Sequence, residues 1–192
     1  MTTTDAQRGR VLAAQVATFL FLGLYPAWAG QFLAAPEYPL PGPGVAVADF
    51  NGDAIADVAV AGGSLNVSLG NGDGTFQAYV AYPGNGLSAL VVADLNQDGK
   101  LDVAASFPSD LVTPGGISVF LGNGDGTFQP RVDYLAGFLT SNVAIGDFNG
   151  DGNLDMVAPN YVDNTFSVFI GRGDGTFRPP VTYAAGNNPL GI

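Results

Sequence analysis

One nine-residue stretch, Asp147-Phe-Asn-Gly-Asp-Gly-Asn-Leu-Asp155, occurs in three versions and organises the whole chain. The other two versions are Asp49-Phe-Asn-Gly-Asp-Ala-Ile-Ala-Asp57 and Asp94-Leu-Asn-Gln-Asp-Gly-Lys-Leu-Asp102. A glycine-rich octapeptide follows each nonapeptide, with the sequence Leu-Gly-Asn-Gly-Asp-Gly-Thr-Phe at residues 69–76 and 121–128 and a close variant at 170–177. Two motifs that recur in fixed order about 50 residues apart are typical of a propeller or a similar array of repeats.

The segments around these motifs have the short alternating pattern of strands. In the first repeat these segments are residues 45–50, 57–61, 65–69 and 76–82. Asn-Gly and Asp-Gly in the octapeptide are strong hairpin signals. Four short strands joined by tight turns are the content of one propeller blade. The sequence therefore predicts an all-β fold, a partial β-propeller of three four-stranded antiparallel blades in an open or truncated array.

The repeats divide the chain into regions. A region at 44–192 is predicted to contain three blades and, from residue 188, the start of a fourth, which suggests a chain cut short. Four prolines make residues 30–43 a stiff, Pro-rich lead-in. The blades are expected at about residues 44–84, 88–135 and 142–184. We expect the phenylalanine that ends each octapeptide to be buried between blades: Phe76, Phe128 and Phe177.

Residues 1–29 have the layout of a secretory signal peptide. Arg8 and Arg10 precede an uncharged stretch at 11–25, and Ala27-Trp-Ala29 has the small residues at which a signal peptidase cuts. The alternative is an uncleaved membrane anchor, but polar residues interrupt the apolar stretch, whereas a spanning helix needs about 20 mostly apolar residues. We expect cleavage after Ala29 and a secreted, extracellular or cell-surface protein.

The composition restricts the chemistry open to the chain. Its 192 residues include no cysteine and no histidine, which excludes disulfides, thiolate or imidazole zinc sites, and catalysis by either residue. Seventeen acidic residues against six basic ones give a formal charge of −11. This charge disfavours nucleic acid and anionic membranes as partners and favours divalent cations. We expect no nucleic-acid partner, and no membrane insertion after signal cleavage.

The nonapeptides have the residue types of calcium loops, because Ca²⁺ takes six to eight oxygen ligands in flexible geometry. Positions 1, 3, 5 and 9 are Asp, Asn, Asp and Asp in all three copies, and the backbone carbonyl of position 7 would add a fifth oxygen. Gly99 and Gly152 supply the sharp turn at position 6. Ala54 does not, which predicts a weaker first site or another backbone path there. One ion is expected in each blade, with these ligands: Asp49, Asn51, Asp53, Ile55 and Asp57; Asp94, Asn96, Asp98, Lys100 and Asp102; Asp147, Asn149, Asp151, Asn153 and Asp155.

The nonapeptides allow two other interpretations. An EF-hand would need a glutamate at position 12 and flanking helices, whereas position 12 is Val60, Ala105 or Ala158 in an apolar segment. The nonapeptides can also form solvated Asx turns between strands, although three clustered carboxylates repel one another without a cation.

The octapeptides are predicted to be structural turns, with a second cation site at their aspartates as the alternative: Asp73, Asp125 and Asp174.

The two motifs together resemble the FG-GAP, or VCBS-type, repeats, which are best known from the seven-bladed propeller of integrin α subunits. The resemblance covers residues 44–192 and departs from the family at Ala54 and in the number of blades. It implies calcium in the loop between the first and second strands of each blade, bound by the same positions of the nonapeptide.

The repeated polar residues are all assigned to loops and turns, so no acid and base pair remains at a shared position. We therefore expect no enzymatic activity, and a calcium-binding scaffold for adhesion or ligand binding, with an extracellular protein or glycan as ligand. The alternatives are an accessory repeat region of a longer secreted polysaccharide-active enzyme, or a purely structural spacer. Open blade edges favour self-association. The long loop at residues 106–116 is the expected contact surface.

Overall fold

The computed structural model of this protein describes residues 42–108 and 113–190. The predicted signal peptide, nearly all of the Pro-rich lead-in, and residues 109–112 of the long loop lie outside the described residues. Within the described ranges the chain forms strands, turns and bends, and no helix there is long and apolar enough to cross a membrane.

Twelve strands in the described ranges form three four-stranded antiparallel sheets, and no sheet closes on itself. In each sheet the spatial order of the strands follows the chain. The all-β, partial-propeller prediction is therefore confirmed. The strands of blade 1 are β1 (Gly44–Ala48), β2 (Asp57–Ala61), β3 (Ser64–Ser68) and β4 (Val80–Pro83); those of blade 2 are β5 (Leu90–Ala93), β6 (Asp102–Phe107), β7 (Gly116–Phe120) and β8 (Val132–Leu135); those of blade 3 are β9 (Ala144–Gly146), β10 (Asp155–Asn160), β11 (Thr165–Phe169) and β12 (Val181–Ala184).

Strand register places the three nonapeptides at equivalent points of the blades. Ala48 pairs with Asp57, Ala93 with Asp102 and Gly146 with Asp155, so each nonapeptide forms the turn between the first and second strands of its blade. The ninth residue of the motif is the first residue of the second strand.

The core lies between the blades, in two apolar clusters. Strand β6 is buried along its whole length, and successive side chains contact opposite neighbours. Val103 and Ala105 belong to the cluster shared with blade 1, whereas Ala104 belongs to the cluster shared with blade 3. Removing both faces from water accounts for the near-continuous apolar sequence of this strand.

Two details of the sequence prediction differ from the structure. Phe128 and Phe177 are buried as expected, but Phe76 is only partly covered, because no described blade precedes blade 1. The long loop is shorter than predicted, since Ser106 and Phe107 are buried in β6 and Gly116 begins β7. Ser106 and Phe107, which were expected at the start of the contact loop, are thus part of the core.

Candidate metal-binding loops

The ninth residue of each nonapeptide is a fully buried aspartate. Asp57 Oδ2 accepts the backbone N–H of Phe50 at 2.9 Å, and its Oδ1 accepts that of Gly70 at 2.8 Å. Burial raises the pKa of the equivalent Asp102, and its two N–H partners lower it in part. These bonds join nonapeptide to octapeptide within a blade, and the other blades repeat them: Asp102 with Leu95 and Gly122, and Asp155 with Phe148 and Gly171.

The second residue of each octapeptide has to be glycine, because the backbone there passes directly over the end of the nonapeptide. A Cβ on Gly122 would lie 2.2 Å from the carbonyl oxygen of Leu101. A Cβ on Gly171 would lie 2.1 Å from that of Leu154. Such contacts are far inside van der Waals distance, so any larger residue would separate the two motifs.

The first aspartate of each nonapeptide organises the loop through backbone N–H groups. Asp147 accepts those of Gly150 at 2.7 Å, Asp151 at 3.2 Å and Gly152 at 2.9 Å. These bonds, led by that from Gly152, hold the pKa of Asp147 below its ordinary value. At Asp49, desolvation raises the pKa, but four backbone N–H groups together lower it by more. The pKa of Asp49 therefore lies below its ordinary value. The carboxylate is therefore favoured at both positions.

The third and fifth residues complete a network of Asx turns. Asn149 Oδ1 accepts the N–H of Asp151 at 2.8 Å, and its Nδ2 donates to Asp151 Oδ2 at 2.9 Å. Asp151 Oδ1 accepts the N–H of Asn153 at 2.8 Å. The first loop repeats these bonds. The second loop keeps the two backbone bonds, at 3.1 and 2.9 Å, and there Lys100 Nζ also lies 3.5 Å from Asp98 Oδ2.

Each loop contains two residues with left-handed backbone angles, at positions 4 and 6. Ala54 has a φ of 65°, close to the 85° of Gly152 at the same position. The first loop thus follows the same path as the others, with a side chain where glycine is favoured. Gln97 takes the left-handed conformation at position 4, with a φ of 61°, a requirement that was not predicted from the sequence.

The seventh residue, whose carbonyl was predicted to bind calcium, places its side chain against the octapeptide. A Cβ on Gly124 would meet Lys100 Cδ at 2.9 Å, and one on Gly173 would meet Asn153 Oδ1 at 2.3 Å. A Cβ on Gly72 would lie 3.2 Å from Ile55 Cδ1. The residue at position 7 therefore differs from blade to blade, but in each blade its side chain lies against a glycine of the octapeptide.

The residues fit a hard cation in type, because all five predicted ligands of each loop are oxygens. The structure joins the first, third and fifth residues through the loop's own hydrogen bonds and directs the ninth to buried N–H groups. In residues 42–108 and 113–190, no group of three or more acidic side chains is arranged to hold a metal ion. Cation binding would therefore require the exposed side chains to turn. Their carboxylate oxygens have further lone pairs with which to bind a cation. Calcium binding stays a prediction.

The octapeptides form turns that are held by their own side chains. Asp73 Oδ1 accepts the N–H of Thr75 at 2.9 Å and its hydroxyl at 2.6 Å. The threonine hydroxyl is the main reason why the pKa of Asp73 lies below its ordinary value. Gly72 and Gly74 have positive φ angles, as the turn requires. The same aspartate and threonine contacts recur in the other blades, at Asp125 with Thr127 and at Asp174 with Thr176.

Comparison with protein families gives matches that include all three nonapeptides. The FG-GAP-like repeat matches residues 49–105, 110–158 and 147–192. The chain belongs to the FG-GAP-like repeat family. Its FG-GAP-like repeat matches extend over all three blades and cross their boundaries: the first ends within β6, the second within β10, and the third begins at the third nonapeptide. Comparison with curated proteins gave no significant match.

A solved lectin structure shares the fold of these FG-GAP-like repeats. An Agrocybe aegerita lectin that specifically recognises non-reducing terminal N-acetylglucosamine has a TM-score of 0.53 and 27% identity over 72% of this chain. The match spans only 37% of the lectin chain. The Photorhabdus luminescens Tc holotoxin pore has a TM-score of 0.41 and 17% identity, over 73% of this chain and 7% of that one.

Proposed function

We propose that this chain is a secreted or cell-surface repeat scaffold that binds a ligand on its blades, is stabilised by calcium and has no catalytic activity of its own. Membership of the FG-GAP-like repeat family and the similarity to a lectin support a ligand-binding scaffold. The similarity to the lectin, at 27% identity over 72% of the chain, is the observation that carries the proposal. The signal-like pattern of residues 1–29 supports secretion.

The ligand we propose is the terminal sugar of a glycan. The related lectin recognises non-reducing terminal N-acetylglucosamine. Binding of the full chain to immobilised glycans that end in N-acetylglucosamine, galactose or mannose tests this proposal. We expect one class to be bound and the free sugar to compete. No binding to any class, in calcium or in EGTA, would contradict a glycan ligand.

The absence of catalysis is supported by the acidic residues outside the motifs. Within the described ranges these are Asp133 and Asp163. Asp133 accepts the hydroxyl of Ser118 at 2.7 Å and pairs with Arg131 at 2.9 Å. Asp163 accepts the N–H of Phe138 at 2.8 Å. Both carboxylates therefore have structural partners. Polysaccharide hydrolysis that is lost in Asp133→Asn or Asp163→Asn would overturn this part of the proposal.

Calcium binding is supported by three carboxylates and an amide oxygen in each nonapeptide. Isothermal titration calorimetry of the full chain with calcium, after a chelator has removed any bound metal, is expected to give three sites. Asp147→Asn removes a loop oxygen and is expected to lose one site. Asp133→Asn, a carboxylate outside the loops, is the matched control and should retain all three. An unchanged melting temperature and no heat of binding in the unmodified chain would contradict the calcium proposal.

A further inference from the structure

The two contacts between blades use the same side-chain positions. At the first, the ring of Phe128 packs edge-on against Phe50 and Tyr82, with centroid distances of 5.6 and 5.4 Å. At the second, Phe177 packs against Tyr134 at 5.3 Å, and Leu95 lies in the same apolar cluster. The last residue of an octapeptide therefore seats on the preceding blade each time.

Backbone and strand contacts repeat in the same way. A Cβ on Gly126 would lie 2.6 Å from Leu69 Cδ2, and one on Gly175 would lie 2.8 Å from Leu121 Cδ2, so each octapeptide turn lies directly against the preceding blade. The first strand of the later blade, or the residue just before it, adds apolar side chains to each cluster. These are Leu90 and Val92 in the first cluster and Val143 and Ile145 in the second.

Blade 3 presents the receiving half of this contact without a described occupant. We call Phe148, Ile170 and Tyr183 the trailing face; they occupy the positions of Phe50, Leu69 and Tyr82. Phe148 is 52% exposed, whereas Phe50 is 3% exposed. A groove of about 440 Å³ lies over this face, with Val157, Phe166 and Val168 in its lining.

Blade 1 presents the inserting half. We call Val45 and Val47 the leading face; they correspond to Leu90 and Val92 of blade 2. Val45 and Val47 are 62% and 64% exposed. Exposed apolar side chains grouped in this way mark an interaction surface.

We propose that the leading face of one copy of this chain docks on the trailing face of a second copy, as consecutive blades do within the chain. The residues equivalent to the two faces pack together in both contacts between blades of the chain. Neither face contains a charged residue. A two-fold rotation satisfies both contacts between two copies. Two sets of the three described blades give six, which lies within the four to eight that propellers use.

The mass of the full chain in solution tests the proposal. Sedimentation of the unmodified chain is expected to give a dimer. Val47→Asp and Phe148→Asp each bury a charge in the contact, and each is expected to give a monomer. Val132→Asp changes a valine on the outer strand of blade 2 that is 52% exposed, and is the matched control, which should remain dimeric.

A mixture of the two variants tests the head-to-tail arrangement. The Phe148→Asp chain keeps its leading face, and the Val47→Asp chain keeps its trailing face, so an equimolar mixture is expected to regain a dimer through one intact contact. Circular dichroism checks that both variants fold. A monomeric unmodified chain at all concentrations overturns the proposal, as does a dimer of either variant alone, or a mixture that stays monomeric.

Discussion

Asp155 and Gly171 lie 16 residues apart in the sequence, yet the buried Asp155 Oδ1 accepts the Gly171 N–H at 2.8 Å. The other oxygen accepts the N–H of Phe148 at 3.0 Å. One side chain therefore holds the first turn of the blade against its last turn, and this role requires no metal ion.

Asp155→Asn should destabilise the fold even without calcium. An amide has one acceptor oxygen, so one of two buried N–H groups loses its partner, at a cost of about 1–3 kcal/mol. Urea unfolding in EGTA measures the loss. Asp151→Asn, in the exposed part of the same motif, is the control and should change stability by less than about 0.5 kcal/mol. Equal losses in the two variants would show that burial of Asp155 is not the cause.

Ala54→Gly and Gly152→Ala should have opposite effects on stability. Both residues occupy position 6 with left-handed φ angles, and a Cβ on Gly152 would have no neighbour within 4 Å. The cost of alanine is thus conformational and is about 1 kcal/mol. Thermal unfolding is expected to move by about 2–4 °C up for Ala54→Gly and down for Gly152→Ala. Shifts of the same sign would refute the explanation.

Gly126→Ala should cost more than Gly150→Ala. Both glycines have positive φ angles, 82° and 75°, but only the Cβ on Gly126 would clash, with the side chain of Leu69 in the neighbouring blade. The packing part of the loss is expected to be about 1–3 kcal/mol. Chemical denaturation of the two variants isolates this difference. Equal stabilities would mean that the blade contact adjusts freely.

The octapeptide turns should make the fold weaker in acid. Hydrogen bonds from Thr176, the hydroxyl first, keep the pKa of Asp174 below its ordinary value of 3.8. A carboxyl whose pKa is lower in the folded state contributes stability that is present above pH 3.8 and is lost as the pH falls through the folded pKa. Thr176→Val removes the hydroxyl, so the free energy of unfolding measured in EGTA from about pH 5 down to about pH 2 should depend less on pH. An unchanged slope would contradict this cause.

The sequence predicted the fold well because its signals are local. The nonapeptide and octapeptide each close a turn through residues close in the chain, and the strands between them alternate in the ordinary way. The role of Asp57, Asp102 and Asp155 was not predicted, because their hydrogen-bond partners in the octapeptide lie 13 to 20 residues away. The left-handed angle of Gln97 was also missed, since glycine at the same position in the other copies gave only an indirect signal.

The buried ties between Asp57 and Gly70 and their equivalents all lie inside single blades, whereas the seams between blades are mainly apolar. A duplicated gene segment that encodes one blade would therefore include all the residues of these buried hydrogen bonds. The blade it encodes would meet the same kind of apolar surface on either side. Growth of such a protein by whole modules needs no new chemistry at the joints, since each copy of the motif pair keeps the aspartate and the glycine that join its two turns.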